Sequence, residues 1–357
     1  MKIKADDYLV YDEATGKYHE DPEQGVRDDV EKHTWLNVAR TVIKDWRLYL
    51  MLVPMLLVFL FWRYFPMYEL LGAFKVHDDN IAVADQLYAG FSYFKMLFAG
   101  SDSSAIEFWR AFRNTFLLSF YGLLFGFPMP IIIALFFNEI RSNIVRSVYQ
   151  VITYLPKFIS TVVMTTLITM LVRQPVSDFG IDMGIISRLL VELGLITEET
   201  GTVGLLNDAG FFRAIYQISG IWETAGYDSI VFFAAIIAIS PTSYEAAQID
   251  GAGYWKQCIH VTIPGIMSTI CMTFILSISG IVKDDFEQIY ALAGEGGLLD
   301  QTMEVLGTWI YKSMHNTSNF YAWGEATAVG MVQSLIGMIL VGVSNLIVTK
   351  TGNEGLW

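Results

Sequence analysis

Long apolar runs separated by mixed-polarity stretches dominate the chain. A helix rises about 1.5 Å per residue, so crossing the hydrocarbon of a bilayer takes about 20 apolar residues. On that rule about six candidate spans appear, at residues 48–71, 112–138, 148–172, 211–239, 264–289 and 326–348. Pro54, Pro128, Pro130 and Pro156 lie inside or at the edge of these runs. Each removes a backbone donor, so kinks are expected where neighbouring helices or water satisfy the freed carbonyls. The long connections, residues 72–111, 173–210 and 290–325, mix aromatic and acidic residues and predict short helices instead of bare coil.

Residues 1–32 read differently. Asp6, Asp7, Asp12, Glu13, Glu20, Asp21, Glu23, Asp28 and Asp29 leave too little apolar content to drive ordering, which predicts an acidic cytosolic tail, disordered or with a short surface element. Over residues 33–47, Trp35, Ala39, Val42, Ile43 and Trp46 recur at helical spacing, with Arg40, Lys44 and Arg47 on the other face. The pattern predicts an interfacial helix on the cytosolic leaflet or the wet end of the first span. Residues 48–350 then form one transmembrane domain, and 351–357 a cytosolic C-terminus.

Composition agrees: 54% hydrophobic and 17% charged residues place this chain in a bilayer as an all-α membrane protein. The first apolar run follows an acidic tail instead of a short basic region with a cleavage site, so the first span is expected to be retained. If helix joins Cys258 and Cys271, they stand about 20 Å apart, too far for a disulfide. A net charge of −13 argues against nucleic acid as a partner. Lys32, Arg40, Lys44 and Arg47 before the first span, Arg141 and Arg146 in a short connection, and Lys350 after the last span predict cytosolic termini. Lys75, Lys95, Arg110, Arg188 and Lys312 fall on the other side, spread through longer loops.

The most informative stretch lies at 240–264, between the fourth and fifth candidate spans. Thr242 and Glu245 have capping-box spacing, so a helix start is expected there with the carboxylate reaching back to free amides. Ala246 and Ala247 keep the short helix slim, Gly251 permits a left-handed exit, and Pro264 is expected to open the next span. The result is a compact helix–turn–helix knob on the cytosolic surface.

These residues resemble the signature loop of binding-protein-dependent transporter permeases. Glu245, Ala246, Ala247, Asp250, Gly251, Ala252 and Pro264 match it, with Ile263 where Leu is usual and Cys258 where Phe is common. The resemblance covers about residue 45 to 357. Asn114-Thr115, the stretch from Trp222 to Ala235, residues Asp285 to Tyr290 and the terminal Gly355-Leu356-Trp357 look like the carbohydrate branch, closest to the oligo- and polysaccharide subgroup. It implies a type I importer permease fold in a bacterial inner membrane. It also implies a coupling helix, with Tyr244 among its residues, seated in a separate ATP-hydrolysing subunit. The implied partners are a second homologous permease, two ATPase subunits carrying ATP and Mg, an extracytoplasmic binding protein and a sugar.

Gly220, Glu223, Thr224 and Tyr227 follow i, i+3, i+4, i+7 spacing on the fourth span, and Ser277, Ile281 and Asp284 repeat that on the fifth. Counted from the cytosolic ends, both sets sit roughly 20 to 30 Å up, and acids at such depth face a water-filled cavity or a partner helix. Helix–helix packing is the alternative reading. Resemblance to the maltose-type permease places sugar contacts around the Trp matching Trp222 and on the helix after the coupling loop. Tyr227 and Ser277 match it in residue type; Glu223, Thr224, Ile281 and Asp284 match in position only.

No Gly-rich phosphate loop ending in Gly-Lys-Ser/Thr occurs; Gly294-Glu295-Gly296-Gly297 lacks the lysine, so ATP hydrolysis is expected in a partner and no cofactor in this chain. His19, His33, His77, His260 and His315 lack ligand spacing, and no nucleophile–base pair stands out, which argues against a metal site and an enzyme. Two other readings stay open: a permease for a non-sugar solute, and a proton-coupled secondary transporter using Glu223 or Asp284.

Overall fold

A computed structural model describes residues 9–12, 17–20, 46–76, 85–100, 103–175, 182–197, 205–282, 286–293, 302–315, 322–352 and 355–356. Most of the expected interfacial helix at 33–47 lies outside them, as does Asp284. The chain divides into two units, Met1–Glu69 and Leu70–Trp357.

The first unit holds a departure from an all-helical chain, and the second a single antiparallel bridge between Lys75 and Tyr88. In the acidic tail, β1 (Leu9–Asp12) pairs antiparallel with β2 (Lys17–Glu20), in register from Leu9 opposite Glu20 to Asp12 opposite Lys17. The first apolar run becomes helix α1 (Trp46–Phe74), which begins regularly and then widens by one turn at Leu60–Tyr64 before tightening over Phe65–Phe74. Its large apolar side chains, such as Leu57 and Phe61, are exposed.

In the second unit, short helices fill the connections as their mixed polarity predicts: α2 (Ser92–Ala99), α6 (Ile185–Glu192) and α12 (Leu306–His315). Three helices here are long and apolar enough to cross a bilayer: α3 (Ala105–Glu139), α7 (Gly210–Ile237) and α13 (Ala322–Lys350). With α1 that makes four among the described residues.

The third and fifth candidate spans are broken, the third beside Pro156, where a kink is expected from sequence, and the fifth where none is. Helix α4 (Asn143–Phe158) meets α5 (Thr161–Val172) at 98°. Pro156 lies in a tightened last turn, and Ile159 and Ser160 then turn extended. Proline removes a ladder bond, and the chain leaves the helix two residues later. Likewise α9 (Tyr254–Gly265) meets α10 (Met267–Ser279) at 62°, and α10 ends well short of residue 289; Phe286–Ala293 is a separate helix, α11. The chain has six spans if each bent pair counts as one. Pro128 lies inside one continuous helix. A widened turn at Gly122–Gly126, closed by the Phe127 amide on Gly122 O at 3.2 Å, lets α3 run through it.

Helix–helix association within a bilayer depends on close packing, since lipid tails are as apolar as leucine. Helix α7 sits centrally: Phe232 and Ile236 meet Ala134 of α3 and Ile266, while nearer its start Phe212 meets Leu118, Ile289 and Val305. A third cluster joins Tyr93, Phe108, Trp309 and Val329. Gly226 brings α7 onto the α4 backbone; a Cβ there would overlap the Thr153 carbonyl.

The Asn114-Thr115 pair fastens the stretch before α12 to α3. Asn114 Nδ2 donates to Glu304 O at 3.0 Å, and Thr115 Oγ1 accepts from the Leu306 amide at 2.8 Å. The buried Glu304 carboxylate accepts from Arg110 at 2.8 Å and from Lys312 at 3.2 Å, so its charge is paired twice. At the other end the Leu356 amide donates to Asn345 Oδ1 at 2.7 Å, folding the C-terminal residues back on α13.

Candidate functional site

The knob folds as a helix–turn–helix, with one change at its start. Helix α8 (Pro241–Ile249) takes Ser240 as its N-cap and Pro241 at its first position. Proline's fixed φ is pre-organised for that position, and it sets the helix register. Ser243 is therefore the third residue, and Glu245, two positions further along, is exposed; the capping box expected from Thr242 and Glu245 does not form. The Ser240 hydroxyl pairs with that of Thr242 at 2.8 Å instead.

The exit from α8 is closed by two bonds. The Gly251 amide donates to Gln248 O at 3.0 Å and the Ala252 amide to Ala247 O at 2.8 Å, the crossed pair of a Schellman motif. Gly251 supplies the left-handed residue that motif needs, with φ of 72°. Two side-chain bonds then hold α8 and α9 together: Tyr244 OH with Thr262 Oγ1 at 3.1 Å, and Gln257 Nε2 donating to Ala252 O at 2.8 Å.

Pro264 does not open the next span. It sits in the last turn of α9, after a widened turn at Cys258–Thr262 and before the 62° bend. Cys258 and Cys271 are free and half-buried. The knob exposes Glu245, Ala246 and Asp250, and also Ile249 (87%) and Trp255 (76%). Large apolar side chains so fully exposed at the tip of a small protrusion mark a contact surface. The sequence reading missed Ile249 and Trp255, although hydrophobic residues beside a signature loop could have flagged them.

The second element of the site is a cavity of about 560 Å³ between α3, α7, α10 and α11. It joins Gly220 and Thr224 of α7 to Ser277 of α10 and to Ile281, four of the residues singled out above. It also takes in three that were missed: Gln217, Asp228 and Gln288. Thr224 donates to Gly220 O at 3.1 Å, Thr273 to Thr269 O at 2.7 Å and Ser277 to Thr273 O at 2.9 Å. Each hydroxyl thus bonds its own helix, Thr224 also meeting the Asp228 carboxylate, and the Thr273 and Ser277 oxygens keep lone pairs for a ligand's O–H groups. Gln288 Nε2 donates to Ser219 Oγ at 2.9 Å, which sets its amide beside Gly220. Phe127 and Tyr216 add aromatic surface.

Glu223 and Tyr227 do not line this cavity. Buried Glu223 pairs with Lys157 of α4 at 3.5 Å, and Tyr227 lays its ring edge-on against Phe158 at 5.9 Å. Both side chains meet the chain just before the 98° break. A larger groove of about 870 Å³ on another side of α7 is lined almost wholly by apolar groups, including Phe125, Met129, Ile152 and Trp222. A polyhydroxylated solute needs convergent polar groups, so the smaller cavity is the better candidate. Among the described residues no group of three or more His, Cys, Asp or Glu is placed to hold a metal ion.

Known proteins resemble this chain in sequence and fold. Residues 126–350 match the family described as binding-protein-dependent transport system inner membrane component. Protein LplB of Bacillus subtilis is 35% identical over 314 residues, 88% of this chain and 92% of that protein. The polygalacturonan/rhamnogalacturonan transport system permease protein YteP of the same organism is 31% identical over 316 residues, 88% of this chain and 92% of its own. A solved bacterial ABC transporter for import of the acidic polysaccharide alginate contains a chain 34% identical with a TM-score of 0.73, covering 87% of this chain and 97% of that one. A second structure, with an alginate pentasaccharide-bound periplasmic protein, gives a TM-score of 0.74 at 34% identity and covers 89% and 99%. The chain belongs to the family of binding-protein-dependent transport system inner membrane components, as a transport permease subunit with the type I importer fold.

Proposed function

We propose that this chain is one permease half of an ATP-binding-cassette importer that takes up oligosaccharides or polysaccharide-derived sugars. Relatives named for such substrates support the sugar assignment, and the hydroxyl- and amide-lined cavity supplies the matching chemistry. The single observation that carries the coupling role is the knob at 240–264, rigidly closed around Gly251 and exposed at Ile249.

In this reading both termini lie in the cytosol, and Tyr244, Glu245, Ala246, Ala247, Asp250, Gly251, Ala252 and Pro264 form or brace the seat for a separate ATPase subunit, which holds ATP and Mg. A second homologous permease completes the pore, each permease engages one of two ATPases, and an extracytoplasmic binding protein delivers the sugar. ATP binding closes the ATPases, pushes on both knobs and turns the cavity outward; hydrolysis resets it. A ligand drives such a cycle only through differential affinity for the two states, so the knob must transmit force without yielding. Gly220, Thr224, Ser277 and Ile281 contact sugar, while Glu223 and Tyr227 brace α7 against the broken third span.

Replacing Thr224 and Ser277 together by alanine removes two hydroxyl acceptors worth roughly 0.5–1.5 kcal/mol each. Uptake of the transported saccharide at sub-saturating concentration is expected to fall about tenfold while the ATPase stays bound. Unchanged uptake by the double variant would remove the cavity from the sugar path.

A further inference from the structure

Among the described residues the cavity wall carries one charged side chain, and its sign narrows the cargo. Asp228 is the only charged side chain lining it among the described residues, in the company of Gln217, Thr224, Ser277 and Gln288. Asp228 lies one turn from Thr224, and its side chain is exposed to the cavity. The cation whose field reaches it, Lys157, stands outside the cavity lining and already pairs with Glu223 at 3.5 Å. One ammonium thus stands near two carboxylates, and Asp228, also bonded to the Thr224 hydroxyl, is the one acidic side chain on the wall among the described residues.

We infer that Asp228 is a specificity-determining residue that makes this cavity take uncharged saccharides and turn away uronates; the inference rests on the sugar-importer reading above. A carboxylate accepts ring hydroxyls through charge-assisted hydrogen bonds, stronger than those to neutral oxygens. The same group repels a sugar carboxylate brought against the wall, and among the described residues no lining side chain offers a cation to receive one. At the intermediate effective dielectric of a partly wet cavity, repulsion between two such charges a few ångströms apart disfavours the acid by about tenfold or more.

The test uses the purified assembly of both permeases and both ATPases, without nucleotide and without the binding protein, so that delivery imposes no selection. Equilibrium dialysis against a mixture of neutral and uronate oligosaccharides of two to five rings, including trigalacturonate and its neutral methyl ester, is read by mass spectrometry. Wild type is expected to retain neutral chains at least about tenfold over acids of equal length, with the ester ahead of the free acid. Asp228→Asn should narrow that ratio to within about threefold, and Asp228→Lys should invert it. Equal or preferential retention of uronates by wild type, or an unchanged ratio in Asp228→Asn, overturns the inference. Retention of no saccharide of either kind overturns the sugar-importer reading itself.

Discussion

Gly251→Val is expected to abolish uptake while the protein still inserts and still pairs with its partner permease. A Cβ at this position would meet no atom within 4 Å, so the damage is not a clash. It comes from the backbone: φ of 72° lies in the left-handed region, which costs a residue with a side chain roughly 1–2 kcal/mol and a β-branched one more. Valine moves out of that region, and the bonds from the Gly251 and Ala252 amides to Gln248 and Ala247 open with it. Helix α8 then loses its fixed angle to α9 and no longer transmits force. Transport and substrate-stimulated ATP turnover should fall at least about a hundredfold, with membrane levels of the subunit within about twofold of wild type. Gly251→Asn, which tolerates the left-handed region better, should retain more transport than valine.

Gly226→Val should have an equally large effect by a different route, loss of the folded subunit. The added Cβ would overlap the Thr153 carbonyl, a backbone group in α4 that has no rotamer to escape into. Helices α4 and α7 must separate, and over-packing of this kind costs about 1–3 kcal/mol or more. The same motion pulls Lys157 away from Glu223 and Phe158 away from Tyr227. Detergent-extracted Gly226→Val should elute as aggregate or be degraded in the membrane. Gly330→Ala on α13, where a Cβ meets nothing within 4 Å, should behave as wild type. Normal assembly of Gly226→Val would mean that the close approach of α4 and α7 does not hold the fold.

The apolar runs located the spans because a bilayer imposes a length rule that composition reports directly. Pro156 flagged a kink in the third, but not its 98° sharpness, and the break of the fifth at Ile266 occupies one residue inside sequence that stays apolar. The knob was legible through Glu245, Ala246, Ala247 and Gly251. Its start was not, because Pro241 set the register and put Glu245 too far along for the capping box. On α7 the regular stripe through Gly220, Glu223, Thr224 and Tyr227 was close to the cavity face but rotated from it. Cavity lining follows Gly220, Thr224, Asp228 and Val231, leaving Glu223 and Tyr227 on the side toward α4. Which side of a helix meets a cavity depends on neighbours far away in sequence, here Leu118, Ser277 and Gln288, and one helix's periodicity holds no record of them.

Everything above turns on whether the protruding tip at Ile249 touches a separate nucleotide-hydrolysing subunit inside the cell. A photoreactive amino acid at position 249, irradiated in membranes containing the whole importer, is expected to give one main adduct, with the ATPase, and to lose it when that subunit is stripped away. An adduct with an extracytoplasmic protein, or labelling of position 249 by a membrane-impermeant reagent added outside, would contradict the account.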